Sequence, residues 1–120
     1  MHYLLDTNIC KYLIKRRPPE VREQFRAHSP NDVAISTITL VELQYGAEES
    51  QYPQLSRDAL AKFLLPLNLM DLNRSSATES AIIRAQLEKK GMPMGPYDLL
   101  IAGLASSRVM TFVTNNIKKF

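Results

Sequence analysis

The chain has 120 residues, of which 45% are hydrophobic and 22% charged. That is room for one compact core and the wrong composition for a disordered segment. No apolar run reaches the ~18 residues of a membrane helix, and the start, Met1 to Asp6, lacks the basic flank and long apolar stretch of a secretion signal. A soluble, cytoplasmic protein with no membrane partner is predicted. The 15 basic residues outweigh the 12 acidic ones to give a net charge of +3, which suits a polyanionic partner.

A single cysteine, Cys10, excludes an internal disulfide, and with only His2 and His28 beside it no zinc ligand set can be assembled. Cys10 lies in the apolar run Ile9 to Ile14 and reads as a small buried hydrophobe. Any catalysis must therefore rest on carboxylates.

Tyr3-Leu4-Leu5 reads as a first strand ending at Asp6, with Asn8 as the cap of a helix over Ile9 to Ile14. Pro18-Pro19 stop that helix, and Pro19 opens the next, which carries Val21 and Phe25. Val33 to Ser36 form a second buried strand, followed by a helix with Leu40, Leu43 and Ala47 on one face. Leu60, Phe63 and Leu64 predict another helix before Pro66, and a third strand falls between Leu67 and Leu72. Ser76 to Glu79 has capping-box spacing ahead of a helix running through Leu87 and stopped by Gly91. Met92 to Tyr97 read as a loop, Asp98 as the opening of a helix with Leu100, Ile101, Leu104 and Ala105, and Met110 to Thr114 as a fourth strand. Strands alternating with helical crossovers predict an α/β fold, a three-layer α/β/α sandwich around a parallel sheet.

In such sheets ligands collect beyond the carboxyl ends of the strands. Asp6 follows strand one, and Thr114, Asn115 and Asn116 follow strand four, so they share an edge. Glu42 lies one turn inside the helix after strand two and Asp98 begins the helix feeding strand four, so both are placed to reach the same pocket. Clustered carboxylates raise one another's pKa and stay ionised together only around a cation. A hard divalent ion such as Mg2+ or Mn2+ fits, and it would activate a water for phosphodiester hydrolysis without cysteine or histidine. Each acid also has a purely structural role open to it. Glu42 closes a capping-box pattern with Thr39, Asp98 caps its helix, and Asp6 caps through the amides of Asn8 or Ile9.

Four segments in order resemble the PIN-domain nucleases, and among them the VapC toxins of bacterial toxin–antitoxin pairs. They are Leu4-Leu5-Asp6-Thr7-Asn8; Ile35 to Leu43 with Tyr45-Gly46-Ala47; Gly95 to Ala102; and Val113-Thr114-Asn115-Asn116. The resemblance covers nearly the whole chain and implies a single PIN-like nuclease domain over residues 1–120. It implies Asp6, Glu42 and Asp98 as metal-binding acids, with Asn116 where many members have a fourth acid. It further implies a magnesium-dependent endoribonuclease acting on structured RNA such as transfer RNA, a homodimer, and neutralisation by a VapB-like antitoxin, with DNA contacted only through that antitoxin. Two features depart from the pattern. Relatives carry an acid before the final Phe where this chain has Lys119, and they continue past the position of Phe120 with a segment that completes the sheet. With an amide at Asn116, one metal is expected rather than two.

For RNA contact the basic groups Lys15-Arg16-Arg17, Arg22 with Arg26, Lys89-Lys90 and Lys118-Lys119 are available, though a solvated role is the simpler reading of each. Tyr12, Tyr45 and Tyr97 could stack on bases, but core or dimer packing explains them more simply. Two rival functions stand beside the nuclease: a catalytically silent module that binds antitoxin or RNA without cutting, and a hydrolase or phosphotransferase using Asp6 as nucleophile. For the latter, the usual Asp-x-Asp is replaced by Asp6-Thr7-Asn8.

Overall fold

The computed structural model describes residues 2–16, 19–27 and 29–114. In chain order its elements are β1 (Tyr3–Leu5), α1 (Thr7–Lys15), α2 (Pro19–Arg26), a 3-10 turn (Pro30–Asp32), β2 (Val33–Ser36), α3 (Thr37–Glu49), α4 (Pro53–Leu64), β3 (Asn68–Met70), α5 (Arg74–Lys89), α6 (Pro96–Ser107) and β4 (Thr111–Val113). The strands form one sheet in the order β3-β2-β1-β4, every pair parallel, with Leu5 level with Ile35 on one side and Val113 on the other. This is the predicted sandwich.

Side chains alternate across the strands and split the core into two layers. Leu5, Val33, Ile35 and Val113 face α1 to α4, where Ile9, Leu13, Leu43 and Leu60 complete the larger cluster. Leu4, Ala34, Met70 and Phe112 face the other way, onto Ile101, Leu104 and Ala105 of α6. Helix α5 stacks outside α6 through small residues. Ser76 and Ser80 are buried there, and a Cβ built on Gly103 would fall 2.7 Å from the Ser80 amide nitrogen and 2.8 Å from the Ser76 carbonyl oxygen. Glycine alone allows that approach.

Several boundaries differ from the sequence reading. The cap of α5 is Asn73, whose Oδ1 accepts from the Ser76 amide while Ser76 Oγ accepts from the Asn73 amide, so Ser76 is the inner partner of a capping box and not its start. Pro96 and Tyr97 belong to α6, because a proline at the first helical position has no amide to leave unpaired. Tyr12 packs against the larger cluster, but Tyr45 and Tyr97 are exposed and take no part in the core. Helices α5 and α6 end in the same left-handed turn. Gly91 (φ 67°) terminates α5 as predicted, with Met92 N–H donating to Leu87 O, and Val109 (φ 55°) occupies the equivalent position after α6, with Met110 N–H donating to Ala105 O. Among the described residues no helix is long and apolar enough to cross a membrane.

Candidate active site

The strand order changes direction at β1: β2 and β3 extend the sheet to one side and β4 returns on the other. Open parallel sheets bind ligands at such a reversal, outside the carboxyl ends of the strands. Asp6 is the residue that leaves β1 at that point. Its amide donates to Val113 O at 3.0 Å, and its Oδ1 accepts from the Ile9 amide at 2.7 Å, so Asp6, not Asn8, caps α1. Only 1% of Asp6 is exposed. A carboxylate so deeply buried is tolerated because the α1 amides and the positive end of the helix offset its desolvation. Its charge also reaches Cys10, whose thiol is pushed far up, first by burial and then by Asp6. Cys10 is thus the inert buried thiol expected.

Glu42 does not close a capping box with Thr39. The cap of α3 is Ser36, whose Oγ accepts from the Thr39 amide at 3.0 Å. Glu42, one turn further along, accepts at Oε1 from the Thr7 hydroxyl at 2.6 Å. Thr7 lies 3.3 Å from Thr39 Oγ1, and Thr39 Oγ1 lies 3.3 Å from Ser36 Oγ. Thr7 and Ser36 were not singled out from the sequence, and Thr39 only as a capping-box partner of Glu42. The signal was present: three small hydroxyl residues directly after two strand ends, where only side-chain bonds can satisfy the helix amides.

Asp98 lies in the first turn of α6, half-buried, behind the cap residue Gly95, which offers no side-chain bond. A Cβ on Gly95 would touch Asp98 Oδ2 at 3.9 Å, so the carboxylate folds back toward the start of its helix. Ile101, three residues on, is fully buried against the sheet, which sets Asp98 on the sheet-facing stripe. Because α6 runs back to feed the parallel strand β4, its first turn stands at the carboxyl rim with Asp6. Asn116 and Lys119 lie outside the described residues.

The structure therefore joins Asp6 and Glu42 through Thr7 and sets Asp98 on the same rim. It does not draw them into a closed cage: among the described residues, no three His, Cys, Asp or Glu side chains stand together as a ready metal site. The donors are nonetheless all carboxylate oxygens, the chemistry of a hard divalent cation. Such an ion needs only one or two carboxylates when waters and phosphate oxygens complete its shell. The residues present fit an open site of that kind.

Comparison with known proteins identifies the family. The PIN domain family model matches residues 3–119. The chain is similar to the tRNA(fMet)-specific endonuclease VapC of Shigella flexneri, 42% identical over 120 residues, covering all of this chain and 90% of the relative. Among solved structures it is similar to DNA-bound VapBC from Salmonella typhimurium, with TM-score 0.91 and 42% identity over 100% of this chain and 90% of that one. It is also similar to VapBC2 from Rickettsia felis bound to a DNA fragment from its promoter, with TM-score 0.90 and 39% identity over 98% and 90%. With Asp6 at the reversal of a four-stranded parallel sheet and these matches running from end to end, the chain belongs to the PIN-domain family, in its VapC ribonuclease branch.

Proposed function

We infer that the chain is a metal-dependent endoribonuclease, the toxin of a toxin–antitoxin pair, which hydrolyses phosphodiester bonds in structured RNA. PIN-domain ribonucleases depend on a divalent ion, and magnesium or manganese is the ion proposed here. Asp6, Glu42 and Asp98 would hold it, with Asn116 as a neutral neighbour. When bound, the ion supplies an activated water and offsets charge on the phosphate. The chain's own part would be to present the carboxylate oxygens of Asp6, Glu42 and Asp98 at one rim of the sheet. The observation that carries this reading is a carboxylate, Asp6, buried at the reversal point of the sheet beside Thr7, whose hydroxyl donates to a second carboxylate, Glu42.

Transfer RNA is the substrate proposed, since a relative covering this whole chain acts on tRNA(fMet). Arg16, Arg22 and Arg26 stand close enough that the like charges of Arg26 and Arg16 lower the pKa of Arg22, and such a basic cluster suits a phosphate backbone. A VapB-like antitoxin is the proposed partner, with DNA reached through it, and a homodimer the proposed assembly in the cytoplasm. Time-resolved cleavage of total RNA with magnesium, with EDTA, and with Asp6→Asn tests the reading. The expected result is cutting in the first alone, with Asp6→Asn slower by about 10²-fold or more. The same RNA profile in all three would instead identify a silent binding module.

A further inference from the structure

Three hydroxyl side chains lead from the start of α3 to the carboxylate of Glu42. Ser36 and Thr39 are fully buried and Thr7 nearly so, whereas Glu42 is half-buried. Each hydroxyl has one proton to give. The Thr7 proton goes to Glu42 Oε1, because that contact is 2.6 Å and ends on a carboxylate, the short range of charge-assisted bonds. Thr7 Oγ1 makes a second, longer contact of 3.3 Å to Thr39 Oγ1, the same oxygen that accepts from the Ser36 hydroxyl at 3.3 Å. Ser36 Oγ in turn accepts from the Thr39 amide. The two 3.3 Å links are long for hydroxyl pairs and serve to orient, while the last link holds.

We propose that Thr7 is a positioning residue for Glu42, whose hydroxyl fixes the carboxylate on the rim before any ion arrives. A glutamate on a helix has several rotatable bonds and loses much freedom when held. Thr7 is β-branched and anchored in the first turn of α1, directly beside Asp6, so its hydroxyl has few directions open to it. Donating from there ties the position of Glu42 to that of Asp6, although the two acids come from different strand ends. Partners that orient ligands in this way typically account for 10- to 100-fold in metal affinity. The proposal rests on the reading of Glu42 as a metal ligand.

The test uses Mn2+ alone, titrated into the full chain by calorimetry or by the paramagnetic resonance of the free ion, with RNA cleavage followed in parallel. Thr7→Val removes the hydroxyl at nearly constant shape, and affinity for Mn2+ should fall about 10- to 100-fold. Thr7→Ser should recover most of it. In a Glu42→Gln background Thr7→Val should add no further loss, because its effect passes through Glu42. Should Thr7→Val fail to fold, Thr7→Ala removes the same hydroxyl without adding a methyl and should weaken Mn2+ binding over the same range. Wild-type affinity in Thr7→Val beside a large loss in Glu42→Gln would overturn the positioning role while leaving Glu42 as ligand. An equal loss on both backgrounds would overturn it too, by showing that Thr7 acts elsewhere. Unchanged Mn2+ binding in Glu42→Gln would remove the ligand reading itself, and the proposal with it.

Discussion

Gly103→Ala is expected to separate α6, which carries Asp98 to the rim, from α5, and the structure sets the size of the effect. The new methyl would meet Ser80 Oγ at 1.9 Å, Ser80 N at 2.7 Å and Ser76 O at 2.8 Å. The serine hydroxyl can turn away, giving up its bond to the Leu99 carbonyl. The other two atoms are backbone of α5 and cannot. Ordinary contacts begin near ~3.5 Å, so the helices must part by roughly 0.7 Å. Overpacking of this kind costs about 1–3 kcal/mol, the lost hydroxyl bond about 1 more, and the better helix propensity of alanine returns about 1. The net is a destabilisation of about 2 kcal/mol, or a Tm lower by about 8 °C for a domain of this length. Thermal unfolding followed by circular dichroism measures it. Adding Ser80→Ala to Gly103→Ala should recover little, since the backbone contacts persist. A Tm equal to or above that of the parent, or full rescue by Ser80→Ala, would show that α5 does not set the spacing.

Val109 adopts φ 55° while 94% exposed, so Val109→Gly should relieve the left-handed strain without losing packing; a gain of about 1 kcal/mol in denaturant unfolding is expected. Asp6→Asn should leave stability near that of the parent, because asparagine caps as well as aspartate, whereas Asp6→Ala should lose about 1 kcal/mol. Denaturant melts of the pair therefore separate capping from chemistry. Burial and Asp6 raise the Cys10 thiol above its ordinary value of 9.0. A group that ionises only in the unfolded chain contributes fully below that value and loses its contribution as pH climbs above it. Stability should therefore fall above pH ~9 by about 1.4 kcal/mol per unit from this group, and Cys10→Ala should flatten the slope in melts run from pH 8 to 11.

Residues that decide their own conformation were legible in the sequence. Tyr3-Leu4-Leu5 and Val33 to Ser36 are short apolar runs between polar breaks, and both form strands there. Gly91 stops α5 because its left-handed turn has no side-chain penalty. Capping was less legible, because several polar residues near each helix start compete and tertiary geometry chooses among them. Asp6 prevails over Asn8 since it leaves β1 in extended conformation, with its oxygen over the Ile9 amide. Ser36 prevails over Thr39 for the same reason at the end of β2. The strand ends gave the position of Asp6, Glu42 and Asp98 on one rim. The hydroxyl chain was hidden because it joins Thr7 to Thr39 and Glu42, residues far apart in sequence.

Leu5 is flanked by Ile35, made soon after it, and by Val113, made almost last, and the amide of Asp6 binds Val113 O directly. A growing polypeptide that has emerged only as far as α6 already contains Asp6, Glu42 and Asp98, yet the central strand still has a bare side where β4 belongs. Translation thus supplies the second neighbour of the central strand only after Asp98 has been made.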